Sequence, residues 1–273
     1  MEKILIAIDV NMINLNVLDF ACYMAKLTNS KLIGIFLEDG ETAKAPVTES
    51  VSESGIEVLP GTKEIVNQYD KNIHLFTDVC RKKQTNCAIH FDQGLPISGI
   101  IKESRFADLL IVDPEMSLRS KKERTPTVFI KEVLTKSECP VVIAPFSFNT
   151  IDEIVFAYDG SQSAVFAIKQ FTYLFPELTD KNITILQVNE KDNQPIVESE
   201  RVGELLQMHY SAIGYHRLSG NIGNELYSYL HGKQNVFVVM GAFGRSMISD
   251  FFKQSTAELI VETINLPVFI AHH

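Results

Sequence analysis

The stretch VFVVMGAFGRSMISDFFKQST, residues 236–256, decides the fold, because it joins a buried strand to a glycine-bearing turn and a helix cap. Its first five residues are apolar and mostly β-branched, as in a parallel strand that is buried on both faces. Gly241 and Gly244 follow, and glycines at the carboxyl end of such a strand let the backbone turn and approach a ligand. Ser255 and Thr256 then precede an apolar-periodic helix, whose free N–H groups favour an anion. The stretch therefore predicts an anion site.

Length and charge limit the classes of function. The chain has 273 residues, the length of roughly two domains of ordinary size. Its net charge of −9 provides no basic field for a polyanion, so nucleic acid is not an expected partner. No apolar run reaches the roughly 20 residues that span a bilayer, and the amino end, MEKILIAIDV, lacks the features of a signal peptide. We expect a cytoplasmic protein with no membrane partner.

The sequence offers little support for a metal or catalytic centre. The 4 cysteines show no CxxC spacing, so we expect buried free thiols. His272 and His273 end the chain without further ligands at metal spacing. GxSxG, HExxH and GxxxxGK(S/T) motifs are all absent. Ser161 and Ser163 have no base placed beside them by the sequence, and we expect both to cap a helix. Neither a catalytic residue nor a metal site is predicted.

Strands alternate with helices through the first half of the chain. Five apolar segments read as strands: KILIAID, SKLIGIFLED, NCAIHFD, ADLLIVD and CPVVIAP. Helical periodicity lies between them, at residues 15–27, 62–84, 96–105 and 125–137. The last helix is expected to have Thr125 as its cap and Pro126 at its first position. This alternation is the signature of a parallel sheet covered by helices on both faces.

The same order then begins again, because DEIVFAYDGS, residues 152–161, matches EKILIAIDVN with Asp159 in register with Asp9. Helices are expected at 163–175, 199–215 and 223–230, and strands at NITILQVNE, residues 216–218, VFVVM and NLPVFIAH. This duplication predicts two domains, residues 1–148 and 151–273. The first is longer mainly by the small, polar and acidic residues 40–61, which we expect to be an excursion from the core.

Two elements of the second half resemble the universal stress protein family. They are a first strand that ends in Asp-Gly-Ser, and a fourth strand followed by G-x-x-G, nine residues and then a small residue with Ser or Thr. They stand here at Asp159-Gly160-Ser161 and at Gly241-x-x-Gly244 with Gln254-Ser255-Thr256. The likeness covers the whole chain as a tandem pair. It implies two flavodoxin-like, Rossmann-like, doubly wound five-stranded parallel sheets with nucleotide bound across the carboxyl ends of strands one and four.

The resemblance gives roles to residues of the second half. Asp159 would face the adenosine, the backbone near Val188 and Asn189 would meet the adenine, and Gly241 would let the ribose approach. Phosphates would be held by the amides of Gly244 and Arg245 together with Ser255 and Thr256. The rest of the expected nucleotide site is Gly160, Ser161, Met240 and Gln254. The ligand implied is ATP or another adenine nucleotide, with Mg²⁺.

The chain departs from the family pattern in both halves. Gln254 stands where the family has a third glycine, and its side chain occupies space meant for a phosphate. The first half has Asp9-Val10-Asn11 and Asp113-Pro114-Glu115 at the two equivalent turns. Carboxylates repel anions, and proline removes an N–H donor. We therefore predict nucleotide binding in the second half only.

Three functions stay open from the sequence. The first is a stress-response regulatory or ligand-binding module that is not an enzyme beyond slow ATP hydrolysis, since no base or Mg²⁺-binding acidic pair is evident. The second is an interaction scaffold without nucleotide. A weaker third is a nucleotide-cleaving enzyme. In each case the apolar closing strands CPVVIAP and NLPVFIAH need cover, which predicts pairing of the two domains as a pseudo-dimer and allows a further homodimer.

Overall fold

The computed structural model describes six ranges of the chain: residues 1–38, 62–91, 95–118, 123–189, 195–241 and 264–271. The excursion predicted at 40–61 lies outside these ranges, and so do the terminal residues His272 and His273. Five of the expected nucleotide-binding residues also lie outside them: Gly244, Arg245, Gln254, Ser255 and Thr256.

The first half of the chain alternates strand and helix as its sequence predicts. Its elements are β1 (Lys3–Asp9), α1 (Leu15–Leu27), β2 (Lys31–Leu37), α2 (Thr62–Lys82), β3 (Cys87–Phe91), α3 (Pro96–Ser104), β4 (Leu109–Val112), α4 (Val128–Lys136) and β5 (Val141–Ile143). The core strands β4 and β5 are buried along their whole length, as expected for short apolar runs covered on both faces.

The second half follows the same order. Its elements are β6 (Glu153–Ala157), α5 (Gln162–Leu174), β7 (Asn182–Asn189), α6 (Ser199–Gln207), β8 (Ile213–Ser219), α7 (Ile222–Leu230), β9 (Val236–Gly241) and β10 (Val268–Ala271). A single turn of 3₁₀-helix, Pro176–Leu178, follows α5. The internal duplication seen in the sequence is thus a duplication of structure.

All ten strands form one sheet, in the order β3-β2-β1-β4-β5-β10-β9-β6-β7-β8. Neighbouring strands within each half are parallel, whereas β5 and β10 are antiparallel and pair Val142 with Phe269. The expected α/β class with doubly wound parallel strands is therefore confirmed, and each half has the strand order 3-2-1-4-5. Because β5 and β10 are antiparallel, the strands of the two halves run in opposite directions. The carboxyl ends of the strands of one half therefore lie on the same side as the amino ends of the strands of the other half.

Each face of the sheet carries one apolar cluster that runs through both halves. Alternate residues of β1 divide between the two faces, since Ile4 and Ile6 belong to one cluster and Leu5 to the other. On the first face Phe171 of α5 lies at the centre of an aromatic group. Its ring centroid is 5.8 Å from Phe156, 4.9 Å from Phe175, 5.0 Å from Phe237 and 5.3 Å from Phe269.

The connection between the halves packs against the core. The Phe148 ring lies 5.0 Å from the ring of Phe20 and 4.6 Å from that of Tyr23, both on α1. Ile151 is completely buried. The residues at the predicted domain boundary thus contact the first half and do not form an exposed linker.

The expected cap of α4 and the expected end of α6 are wrong. The cap of α4 is Thr127, whose hydroxyl accepts the Ile130 N–H and donates to the Met116 carbonyl, whereas the Thr125–Pro126 bond before it is cis. The helix expected through residue 215 ends at Gln207, because Ile213–Ser219 pairs with β7 along seven residues.

The aromatic group predicts a large effect of truncating Phe171. Phe171→Ala should lower the free energy of unfolding by about 3–5 kcal/mol, since it removes a fully buried ring and leaves a cavity among four others. Tyr173→Ala, on the exposed side of the same helix, should cost about 1 kcal/mol or less. Urea unfolding followed by circular dichroism measures both. Equal losses in the two variants would contradict the central position of Phe171.

Candidate functional site

The strand order creates one crevice in each half. The chain leaves β1 toward β2 on one side and returns to β4 on the other, and β6 stands in the same way between β7 and β9. Open α/β sheets bind ligands at such switch points, outside the carboxyl ends of the strands. The two crevices, between β1 and β4 and between β6 and β9, are therefore the candidate sites. They lie at opposite edges of the sheet and have different side chains.

The turn from β6 into α5 forms one wall of the second crevice. Asp159 Oδ1 accepts the Ser161 N–H at 2.8 Å, and Ser161 Oγ accepts the Ala164 N–H at 3.1 Å. Gly160 between them has φ +79°, in the left-handed region where a side chain is disfavoured. Ser161 is therefore the N-cap of α5, as predicted, whereas the expected cap Ser163 lies inside the helix. The amino end of α5 points its partial positive charge at this edge.

Gly241 ends β9 directly against the first turn of α5. A Cβ at Gly241 would lie 2.5 Å from the Ser163 carbonyl carbon and 2.6 Å from the Ala164 nitrogen, well inside contact distance. Backbone atoms of a capped helix cannot move aside as a flexible side chain can. The glycine is thus required by the packing of β9 on α5, a role that the sequence did not indicate; its expected role toward a ribose stays a prediction.

A buried amide closes the β7 side of the second crevice. Gln187 is only 2% exposed, and its Oε1 accepts the Val197 N–H at 2.9 Å while its Nε2 donates to Asn189 Oδ1 at 2.6 Å. Val197 lies on Gly160, where an added Cβ would meet Val197 Cγ1 at 2.7 Å. Any ligand in this crevice would therefore border Val197. Sequence reasoning missed both residues, although an amide side chain inside the apolar run ITILQV is a signal for Gln187.

The structure brings the described members of the expected nucleotide site to one edge. Ala157, the last residue of β6, pairs with Leu186 of β7 and with Met240 of β9, so the three parallel strands end on the same side of the sheet, with β7 extending three residues further to Asn189. The members placed there are Asp159, Gly160, Ser161, Val188, Asn189, Met240 and Gly241. Their proximity to each other is what the sequence predicted, and contact with a nucleotide stays a prediction.

Carboxylates line the crevice of the first half. Asp9 Oδ1 accepts the Asn11 N–H at 2.8 Å, the same turn that Asp159 makes in the second half. Asp113 Oδ1 accepts the Glu115 N–H at 2.9 Å, and its Oδ2 accepts the Asn14 side-chain amide at 2.8 Å. Asp9, Asp113 and Glu115 all border a cavity of about 310 Å³ with an apolar floor. A phosphate in this cavity would meet three carboxylates.

Helix α2 is tied to the same edge of the first half. The Tyr69 hydroxyl donates to Glu38 Oε1 just beyond β2, and Asn72 Nδ2 donates to the Val10 carbonyl at 2.6 Å. Burial and the bond to Glu38 raise the pKa of Tyr69, so the phenol keeps its proton at neutral pH. These bonds fill the β2 side of the first crevice. The corresponding side of the second crevice, beside β7, is bordered by Val197.

The described residues contain neither a cluster of metal ligands nor a helix that could span a membrane. Over those ranges no group of three or more His, Cys, Asp and Glu side chains is arranged to hold a metal ion. Among the helices that the structure describes, none has the length and apolar character needed to cross a membrane.

Known proteins resemble this chain in fold and, over part of its length, in sequence. No family model matches it. Over 131 residues, which are 47% of this chain and 45% of the relative, it is 28% identical to the universal stress protein Slr1230 of Synechocystis. A universal stress protein structure from Archaeoglobus fulgidus matches 99% of this chain and 98% of its own with a TM-score of 0.69 at 16% identity. A functionally unknown protein of Pseudomonas aeruginosa PAO1 matches 100% of this chain and 92% of its own with a TM-score of 0.57 at 12% identity.

The contact of Gly241 with α5 predicts that even one methyl group is costly there. Gly241→Ala should lower the free energy of unfolding by about 1–3 kcal/mol, because the methyl group overlaps the helix backbone. Gly214→Ala is the matched control, since a Cβ on that strand glycine would be 3.4 Å from its nearest atom, and its effect should stay within about 1 kcal/mol. Thermal and urea unfolding measure both. A Gly241→Ala variant as stable as the parent would refute the packing role.

Proposed function

We propose that this chain is a tandem universal stress protein, a cytoplasmic regulatory module of the stress response that binds an adenine nucleotide in its second half. Its two domains would be residues 1–148 and 151–273. The first would keep the fold without binding nucleotide. Slow ATP hydrolysis is the most that its chemistry would provide.

One observation carries this proposal: the same crevice occurs twice with opposite chemistry. In the second half β9 ends in Gly241 beside the amino end of α5, where backbone N–H groups and the helix dipole favour an anion. In the first half the corresponding strand, β4, is followed by Asp113 and Glu115 at the rim of the cavity. A phosphate and a carboxylate that lie a few Å apart repel each other strongly where water is partly excluded. A phosphate would therefore prefer the second crevice.

The nucleotide would lie across β6 and β9. Its base would border the end of β7, where Val188 and Asn189 offer backbone groups beside Val197 and the buried Gln187. Asp159 would accept hydrogen bonds from the sugar or the base. The phosphates would extend toward Gly244 and the residues after it, and Mg²⁺ would accompany them as counter-charge.

An interaction scaffold is the second candidate, and the Val197 contact favours it. With Val197 seated on Gly160, the β7 side of the crevice is already filled by the protein's own side chain. The continuous sheet through β5 and β10 would in that case be the main functional feature, as a platform for protein partners or for a second copy of the chain.

Titration calorimetry with ATP and Mg²⁺ on a matched pair of variants tests the proposal. Asp159→Ala should weaken ATP binding about tenfold or more, the equivalent of losing one charge-assisted hydrogen bond. Asp9→Ala removes the same Asx turn from the first half and should leave the affinity within about twofold of the parent. Circular dichroism confirms that both variants fold.

Three outcomes would count against the proposal. Absence of binding heat in the parent protein favours the scaffold. Equal weakening by Asp9→Ala and Asp159→Ala places the nucleotide in both halves. Release of ADP or AMP at rates near those of ordinary kinases would make the chain an enzyme.

A further inference from the structure

Three of the 4 cysteines lie together between α1, α2 and β3. Cys22 on α1 and Cys80 on α2 are 1% and 0% exposed, and their sulfur atoms are 3.9 Å apart. Cys87 at the start of β3 is only partly buried and packs against the same apolar cluster that contains Cys22 and Cys80. The expectation of buried free thiols is thus correct for Cys22, Cys80 and Cys139, but not for Cys87.

We propose that these three residues form an oxidisable thiol relay, in which Cys87 meets a peroxide at the surface and a disulfide forms in the core between Cys22 and Cys80. The inference is independent of nucleotide binding. It assigns a modification site to the packing of α1 on α2, at the amino-terminal side of the sheet's first half and away from its crevice.

The contacts of the cluster give each thiol a distinct task. Cys87 is accessible, because β3 is an edge strand whose residues are only partly buried. Cys80 lies between the other two, since it touches Cys22 and interacts with Cys87. The hydrogen bond from Cys80 lowers the pKa of Cys22; burial opposes this, while Thr85 and Lys83 act in the same direction as Cys80. The Cys22 sulfur lies directly against the Cys80 sulfur that it would attack, and a lowered pKa favours a thiol as the attacking group in disulfide exchange.

The relay balances in three steps. The Cys87 sulfur attacks hydrogen peroxide, the O–O bond breaks, and Cys87 sulfenic acid and water result. The Cys80 sulfur then attacks the Cys87 sulfur, the S–O bond breaks, and the leaving hydroxide takes the Cys80 proton to form a second water. Finally the Cys22 sulfur attacks Cys80, and Cys87 leaves as a thiolate that takes the Cys22 proton. The net change is two thiols and one peroxide to one disulfide and two waters.

The product would join α1 to α2 by a covalent bond. Cys22 and Cys80 are 58 residues apart, and the disulfide would close a loop that runs from α1 through β2 to α2. Helix α2 also carries Tyr69 and Asn72, which bond to Glu38 and to the Val10 carbonyl at the crevice edge. Oxidation would therefore hold α2 in the position that closes the β2 side of the first crevice.

Peptide mapping of the full chain after exposure to hydrogen peroxide tests the relay. Trypsin cleaves after Lys26, Arg81 and Lys83, so it places Cys22, Cys80 and Cys87 in three separate peptides. Free thiols are blocked by alkylation before digestion. Mass spectrometry should then find the Cys22 and Cys80 peptides linked with the loss of two hydrogen atoms, and the link should disappear on reduction.

Variants separate the relay from direct oxidation of the core. Cys87→Ser should slow formation of the Cys22–Cys80 link about tenfold or more, because a buried thiol reacts slowly with peroxide. Cys22→Ser should let a link between Cys80 and Cys87 accumulate instead. Cys139→Ser is the control, since Cys139 is buried away from the cluster beside Ser137, and it should leave the rate unchanged.

Two results would overturn the inference. One is peroxide-treated protein in which Cys87 carries sulfinic acid and no linked peptide forms. The other is a Cys22–Cys80 link that forms as fast in Cys87→Ser as in the parent, which would remove the surface thiol from the path.

Discussion

The antiparallel pairing of β5 with β10 is the interaction on which the rest of the architecture depends. Both strands are short, apolar and buried along their whole length, so either one alone would leave an unpaired apolar edge open to water or to aggregation. Their pairing joins two sets of parallel strands into one sheet and lets one apolar cluster on each face run through both halves. It also fixes the direction of each half. The carboxyl ends of the strands in one half consequently point in the opposite direction from those in the other half, which separates the two crevices.

The two crevices show how one backbone design can carry different chemistry. Asp9 and Asp159 make the same turn at the same distance from their partner N–H groups. The difference arises on the neighbouring strand, where Gly241 packs on a helix backbone and Asp113 instead binds the cap residue of α1 through its carboxylate. The first half thus uses its fourth-strand turn for internal hydrogen bonds. In the second half the fourth strand is β9, and none of its described residues, up to Gly241, is a carboxylate that could bind the amino end of α5.

Local pattern predicted most of the fold, because strands and helices here are stabilised by their own apolar periodicity. β1 and α1 have the expected bounds, and the repeat of Asp9 at Asp159 located the second set of strands. The errors occur where tertiary contacts decide. The apolar spacing after Gln207 resembles a continuing helix, but pairing with β7 draws Ile213–Ser219 into a strand. At α4 the sequence offers two threonines as caps, and it is Thr127 whose hydroxyl bonds both to the Ile130 N–H and to the distant Met116 carbonyl.

The site was predictable to the extent that it follows strand order. Asp159, Asn189 and Gly241 could be placed on one side of the sheet because each lies at or just after the carboxyl end of a parallel strand. The contact of Gly241 with Ser163, the Gln187 bond to Val197 and the meeting of Cys22 with Cys80 join residues that are distant in the sequence. No local pattern carries such information.

Hydrogen–deuterium exchange, measured by mass spectrometry with and without saturating ATP and Mg²⁺, tests the central claim most directly. The claim is that two crevices of equal strand order differ in their affinity for an anionic ligand. It predicts slower exchange in peptides that cover residues 158–164 and 236–245, and unchanged exchange at 7–17 and 109–118. Slower exchange at 109–118, beside Asp113 and Glu115, or no change at 158–164, would contradict it.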